Sequence, residues 1–111
     1  MNRFIGRVFK SVVEHNDSIT FTEYNGNTLK MYHEQDCCEN VTISQITGDL
    51  YDLVDSPILD ASENTNSGNT EEDGHETWTF YKFRTRKGYV DITWYGESNG
   101  YYSESVYILG E

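Results

Sequence analysis

The densest set of chemically capable side chains is Tyr32-His33-Glu34-Gln35-Asp36-Cys37-Cys38-Glu39. An imidazole, two thiols and three carboxylates in so short a run include every ligand type a transition metal takes. His33 and Cys37 are four apart, which a helical turn would bring to one side. A closed zinc site needs four ligands, so His33, Cys37 and Cys38 would have to recruit His15 or His75. No Cys-x-x-Cys motif supports such a site. The same residues could pair a cysteine nucleophile with His33. The surrounding acids oppose that use, because negative neighbours raise a thiol pKa. The plainer reading is structural, with one buried thiol and solvated acids.

A second cluster is Trp94-Tyr95-Gly96-Glu97-Ser98-Asn99-Gly100-Tyr101-Tyr102-Ser103-Glu104. Large aromatics among small polar residues are typical of recognition surfaces. The candidate partner- or ligand-binding residues are Trp94, Tyr95, Glu97, Asn99, Tyr101 and Tyr102. Their rings could also stack on a base while Arg84 or Arg86 reaches a phosphate. Glu97 and Glu104 form a candidate carboxylate pair, though nothing in the sequence marks a raised pKa. The plainer reading is a hairpin tip with half-buried tyrosines. The chain has no glycine-rich phosphate loop, serine elbow, His-Glu-x-x-His motif or calcium loop. Asp49, Asp52 and Asp55 are spaced as the wet face of a short helix.

These residues must be positioned by strands. Phe4 to Val13 is rich in β-branched and aromatic residues. Ser18 to Tyr24 and Thr28 to Tyr32 alternate on either side of Asn25-Gly26, a pair that tolerates the positive φ of a tight turn. Val41 to Ser44 reads as a short strand, and Ile58-Leu59 as the start of another. Asp49 to Val54 reads as a short helix capped by Asp49 and ended by Pro57. Thr77 to Thr85, Tyr89 to Tyr95 and Tyr101 to Leu109 read as a three-stranded meander, with Asn99-Gly100 as its second tip. Residues 62–75 hold no apolar side chain and read as a mobile acidic loop. The expected fold is α+β, mainly antiparallel β, with two β-meanders joined by a segment with one short helix. One domain, residues 1–111, is the natural count.

Composition narrows the function classes. The formal net charge is −11, and the stretch between Lys30 and Lys82 has twelve acids and no Lys or Arg. Direct nucleic-acid binding is disfavoured, because phosphate neutralisation needs Lys and Arg. The charge allows attraction to a basic partner surface, and solubility alone explains it equally well. No run approaches the roughly 20 apolar residues that span a bilayer, so no membrane is expected. Met1 to Arg7 lacks an apolar core, which argues against a signal peptide and for a cytoplasmic address. In that compartment Cys37 and Cys38 are expected as thiols, since neighbouring cysteines bridge only under strain.

Four blocks carry a family resemblance: Met31-Tyr32-His33-Glu34-Gln35-Asp36-Cys37-Cys38-Glu39, Gly48-Asp49-Leu50-Tyr51-Asp52-Leu53, Ser56-Pro57-Ile58-Leu59, and the run from Trp94 to Glu104. With Trp78-Thr79-Phe80-Tyr81-Lys82-Phe83, they resemble a family of small uncharacterised bacteriophage proteins. The resemblance extends from about Gly6 to Val106. It implies a phage or prophage origin and the cytoplasm of an infected bacterium, and it carries over no catalytic residue and no cofactor.

Three functions are therefore carried forward. The first is a non-enzymatic inhibitor or modulator of a host or defence protein, one version being a nucleic-acid mimic. The second is a binder that sequesters a small nucleotide-type ligand. The third is a metal-binding protein or enzyme built on His33, Cys37 and Cys38. The first, with no catalytic residue, is the expectation.

Overall fold

The computed structural model describes residues 1–70, 74–99 and 103–110. Eight strands follow one another: β1 (Phe9–Glu14), β2 (Ile19–Glu23), β3 (Thr28–Tyr32), β4 (Asn40–Thr47), β5 (Asp60–Asn69), β6 (His75–Thr85), β7 (Gly88–Ser98) and β8 (Tyr107–Gly110). They form two four-stranded sheets in the orders β1-β2-β3-β8 and β4-β7-β6-β5. All strand pairings within the sheets are antiparallel.

The α+β expectation is corrected by this arrangement. Among the described residues the only helix is a four-residue 3-10 turn, Leu50–Leu53. Asp49 caps it, accepting the Tyr51 amide at 2.9 Å. Only Leu53 is fully buried, and the chain is extended again at Val54. One turn with one anchoring side chain cannot offset the cost of propagating a longer helix.

The first hairpin forms as its sequence dictates. Ile19, Phe21, Leu29 and Met31 are buried, and their neighbours in β2 and β3 are less so. Gly26 sits at the tip with φ of +91°, where a Cβ would be strained. Thr77 to Thr85 and Tyr89 to Tyr95 also form a hairpin, in register from His75↔Ser98 to Thr85↔Gly88.

The third strand of that expected meander goes elsewhere. β8 pairs with β3 in the other sheet, Met31 opposite Ile108 and Tyr32 opposite Tyr107. The physical reason is occupancy: β6 is flanked by β5 and β7, and β7 by β4 and β6, so neither has a free edge. Gly100 lies outside the described residues, and the strand that follows Asn99-Gly100 does not fold back on β7.

The acidic loop expected at 62–75 is corrected as well. Its residues through Asn69 belong to β5, paired with β6 from Asp60↔Arg84 to Asn69↔His75. It shows no apolar alternation because neither face of this part of β5 meets the core, and nearly all of it is exposed. Residues 71–73 of that segment lie outside the described residues.

The core sits between the two sheets. Phe4, Phe9, Phe21 and Phe83 form a ring cluster, with Phe4 5.0 Å from Phe21 and 5.1 Å from Phe83. Trp94 of the longer sheet donates its indole N–H to the Met31 sulfur of the other at 3.3 Å. Each such side chain contributes about 1.5–3 kcal/mol by leaving water.

Candidate functional site

Strand geometry sorts the hairpin residues onto two faces. On β7, Trp94 points inward and is 1% exposed, while Tyr95 and Glu97 point outward. Trp94 is therefore a core residue and offers no contact surface. Asn99 is exposed just past the strand. Tyr101 and Tyr102 lie outside the described residues. Glu97 and Glu104 are not a pair, because Glu97 is outward and exposed whereas Glu104 is buried.

Tyr95 instead joins residues of β6. The even-numbered residues Glu76, Trp78, Phe80, Lys82 and Arg84 share the outward side of that strand, opposite buried Tyr81 and Phe83. The Trp78 ring lies 4.5 Å from Tyr95 and 6.5 Å from Phe80. All three are half-buried and lie outside the core cluster. The register extends this patch to both edges of the sheet: Asn66, Trp78, Tyr95 and Thr42 form one row, and Asn64, Phe80, Thr93 and Gln45 the next. A shallow platform of three rings is thus flanked by amides and hydroxyls, able to hydrogen-bond around an apolar centre.

Carboxylates border the platform. The Tyr95 hydroxyl donates to Glu76 at 3.0 Å and to Glu97 at 3.3 Å. Burial, then the Glu76 bond and charge, then Glu97, push the Tyr95 pKa up to about 12, so the phenol remains a donor. Lys82 and Arg84 stand further along the same face, each opposite an acid, Asp91 and Asp60 respectively. Arg86 is exposed at the β6–β7 tip.

His33, Cys37 and Cys38 lie in the segment that links β3 to β4. Cys37 and Cys38 are joined by a disulfide, where two thiols were expected. His33 Nδ1 is 2.7 Å from the Ser105 carbonyl, and Nε2 is 3.3 Å from Glu39. Buried Glu39 accepts from the Asp36 amide at 3.1 Å, the Cys37 amide at 2.9 Å and the Gln35 side chain at 3.1 Å. Burial pushes its pKa up, but its own, Cys37 and Asp36 backbone amides and then His33 outweigh that and hold the carboxyl below its usual range. The block locks the loop between β3 and β4. Among the described residues, no three His, Cys, Asp or Glu side chains gather as a metal site.

Sequence reasoning missed Trp78, Phe80 and Glu76. The alternation that puts them on one side of β6 was legible, but the side that would face the core was not. No described helix is long and apolar enough to cross a membrane. Residues 2–108 match the protein family described as Domain of unknown function (DUF7448). No curated protein and no solved structure matches the chain.

Proposed function

We propose that this chain, which belongs to the DUF7448 family, acts by binding and without turnover, as a phage-encoded modulator of a bacterial host or defence protein. The observation that carries the reading is the half-open platform of Trp78, Phe80 and Tyr95. Aromatic rings at the centre of a polar-rimmed patch are the residues on which interfaces concentrate binding energy. The acids Glu76 and Glu97 beside them, on a chain of net charge −11, suit a partner with a basic rim and would steer its approach. The phage origin rests on the sequence blocks, and with it the infected bacterial cytoplasm as the place of action. The test is co-purification from bacterial lysate, repeated with Trp78→Ala and Tyr95→Ala and then with the purified partner. One partner lost with both folded variants supports the reading; a partner retained by both refutes this surface.

A nucleotide-type ligand is the second reading, favoured by one observation: Trp78, Phe80, Lys82 and Arg84 lie in line on one strand face. The acids opposite Lys82 and Arg84 weaken it, since they compete with a phosphate for both cations. Calorimetric titration with single nucleotides separates the two readings.

A further inference from the structure

Each sheet has two edge strands, and three of the four edges carry a block. Asp55, just past the 3-10 turn, donates its amide to the Phe9 carbonyl of β1, where Phe9 also bridges Val54. β1 holds Lys10 and a register shift between Phe9 and Ser11. On β4, the Asp17 carboxylate accepts the Ile43 amide at 3.3 Å, and the register shifts between Ile43 and Gln45. β8 is only four residues long, and the Arg3 guanidinium donates to its Ile108 carbonyl at 2.7 Å and to its Gly110 carbonyl. Short strands, bulges, lysines and covering groups are the ordinary means of keeping an edge from pairing with another chain.

β5 carries none of these. It runs ten residues, Asp60–Asn69, in unbroken register with β6, and holds no Lys, Arg or Pro. Its acids, Asp60 and Glu63, stand near its start, and the run from Asn64 to Asn69 is uncharged. Alternate residues of β5 bond to β6, and the amides and carbonyls of the others face outward. Among the described residues, no loop or side chain bonds to main-chain groups of 60–69 from that open side. The side chains leave the edge clear as well. Asn64 and Asn66 rim the platform, while Glu63, Thr65 and Ser67 line a polar groove with Thr77 and Thr79 on the other face. Another extended backbone is what satisfies such a row of alternating donors and acceptors.

We infer that β5 pairs with β5 of a second copy of this chain, antiparallel about a two-fold axis at Thr65, to give one continuous eight-stranded sheet. The position of the charges sets the register. With Thr65 opposite itself, Glu63 faces Ser67, Ala61 faces Asn69 and Asp60 faces Thr70, so no two acids stand opposite each other and the whole strand pairs. An axis at Asn64 would bring the two Glu63 carboxylates to neighbouring diagonal positions, and a parallel pairing in register would set them side by side. Asn64 faces Asn66, and their side-chain amides exchange hydrogen bonds across the seam. A two-fold pairing uses both β5 edges and closes, so it yields a dimer and no fibre. The axis stands perpendicular to the sheet, so both platforms fall on one side of it. Two chains of net charge −11 repel each other, and salt should therefore strengthen the dimer by screening. The dimer does not depend on the function proposed above.

The test is sedimentation velocity of the full chain over a wide range of concentration, at low and high salt. A concentration-dependent doubling of mass, favoured by salt, is expected. Thr65 is exposed, so Thr65→Lys and Thr65→Glu should keep the wild-type melting temperature. Each sets like charges opposite each other at the axis and should weaken the dimer roughly fivefold or more. Thr65→Cys should crosslink two copies under mild oxidation, because opposed residues of an antiparallel pair stand about 4.5–5.5 Å apart at Cα, within reach of a disulfide. Asn69→Cys, which faces Ala61 of the other copy, should not crosslink. A monomer at every concentration overturns the inference, as does an assembly larger than a dimer. So does a dimer that withstands both charged variants, or that yields only to glutamate, which marks net repulsion alone. Failure of Thr65→Cys to crosslink, or crosslinking at Asn69 in its place, overturns it too. If a charged variant melts below wild type, the two cysteine variants decide alone.

Discussion

Trp78 and Tyr95 meet across β6 and β7 with ring centroids 4.5 Å apart, on the side of the sheet away from the core. Their contact forms the centre of the platform, and both rings stay partly open to solvent. A ring pair adds about 0.5–1.5 kcal/mol beyond area burial, too little for a fold with its main core elsewhere to depend on it.

The first prediction follows from that placement. Trp78→Ala should weaken partner binding by about 2 kcal/mol, the usual cost of losing an interface anchor. Stability should fall by less than the ~3–5 kcal/mol that truncating a fully buried tryptophan costs, because Trp78 is only half-buried. Binding titration and urea denaturation of the same preparation check both. A stability loss that exceeds the binding loss would make Trp78 scaffold.

Trp94, next to Tyr95 in the sequence, should behave oppositely. Trp94 is 1% exposed and bonded to Met31. Trp94→Ala should cost about 3–5 kcal/mol of folding stability through the cavity it leaves. Comparing the urea midpoints of Trp94→Ala and Tyr95→Ala tests the inward and outward assignment directly.

Glu104 should make stability depend on pH. Burial opposes its charge, but Ser98, Thr77 and His75 outweigh that and depress its pKa from an ordinary 4.5. A depressed carboxylate pKa stabilises the fold above the unfolded value, and that stability is lost as pH falls through the folded value. Wild type should therefore melt above Glu104→Gln at pH 7, and the two melting curves should converge below about pH 4.5. A gap that does not change with pH would rule out the carboxylate as its source.

Removing residues 62–69 and closing the gap with a short turn should be costly. If the segment were a free loop, halving its length would change closure by only about 0.6 kcal/mol. As β5 it contributes cross-strand pairs worth about 0.2–1 kcal/mol each, so a loss of a few kcal/mol is expected. Thermal unfolding of the shortened chain distinguishes the two.

Much of the secondary structure was legible in local chemistry. Asn25-Gly26 specifies its hairpin because Gly26 needs positive φ, and period-two burial in β2, β3, β6 and β7 marks their faces. Asp49 capping a helical turn was equally readable. β5 was not, because its polar sequence reflects solvent on one face and a polar groove on the other, and only its backbone ladder makes it a strand.

The sequence by itself determined where the chain turns, which residues alternate and how acidic the molecule is. These depend on single residues, neighbouring pairs and sums of charge. Only the tertiary structure decided that Trp94 is core and Tyr95 surface, that β8 leaves its neighbour β7 for β3, and that Glu104 meets His75 across 29 positions. Alternation tells which residues share a face but not which face is buried. That choice belongs to the opposing sheet and to the edges it leaves free, and both are set by residues far away along the chain.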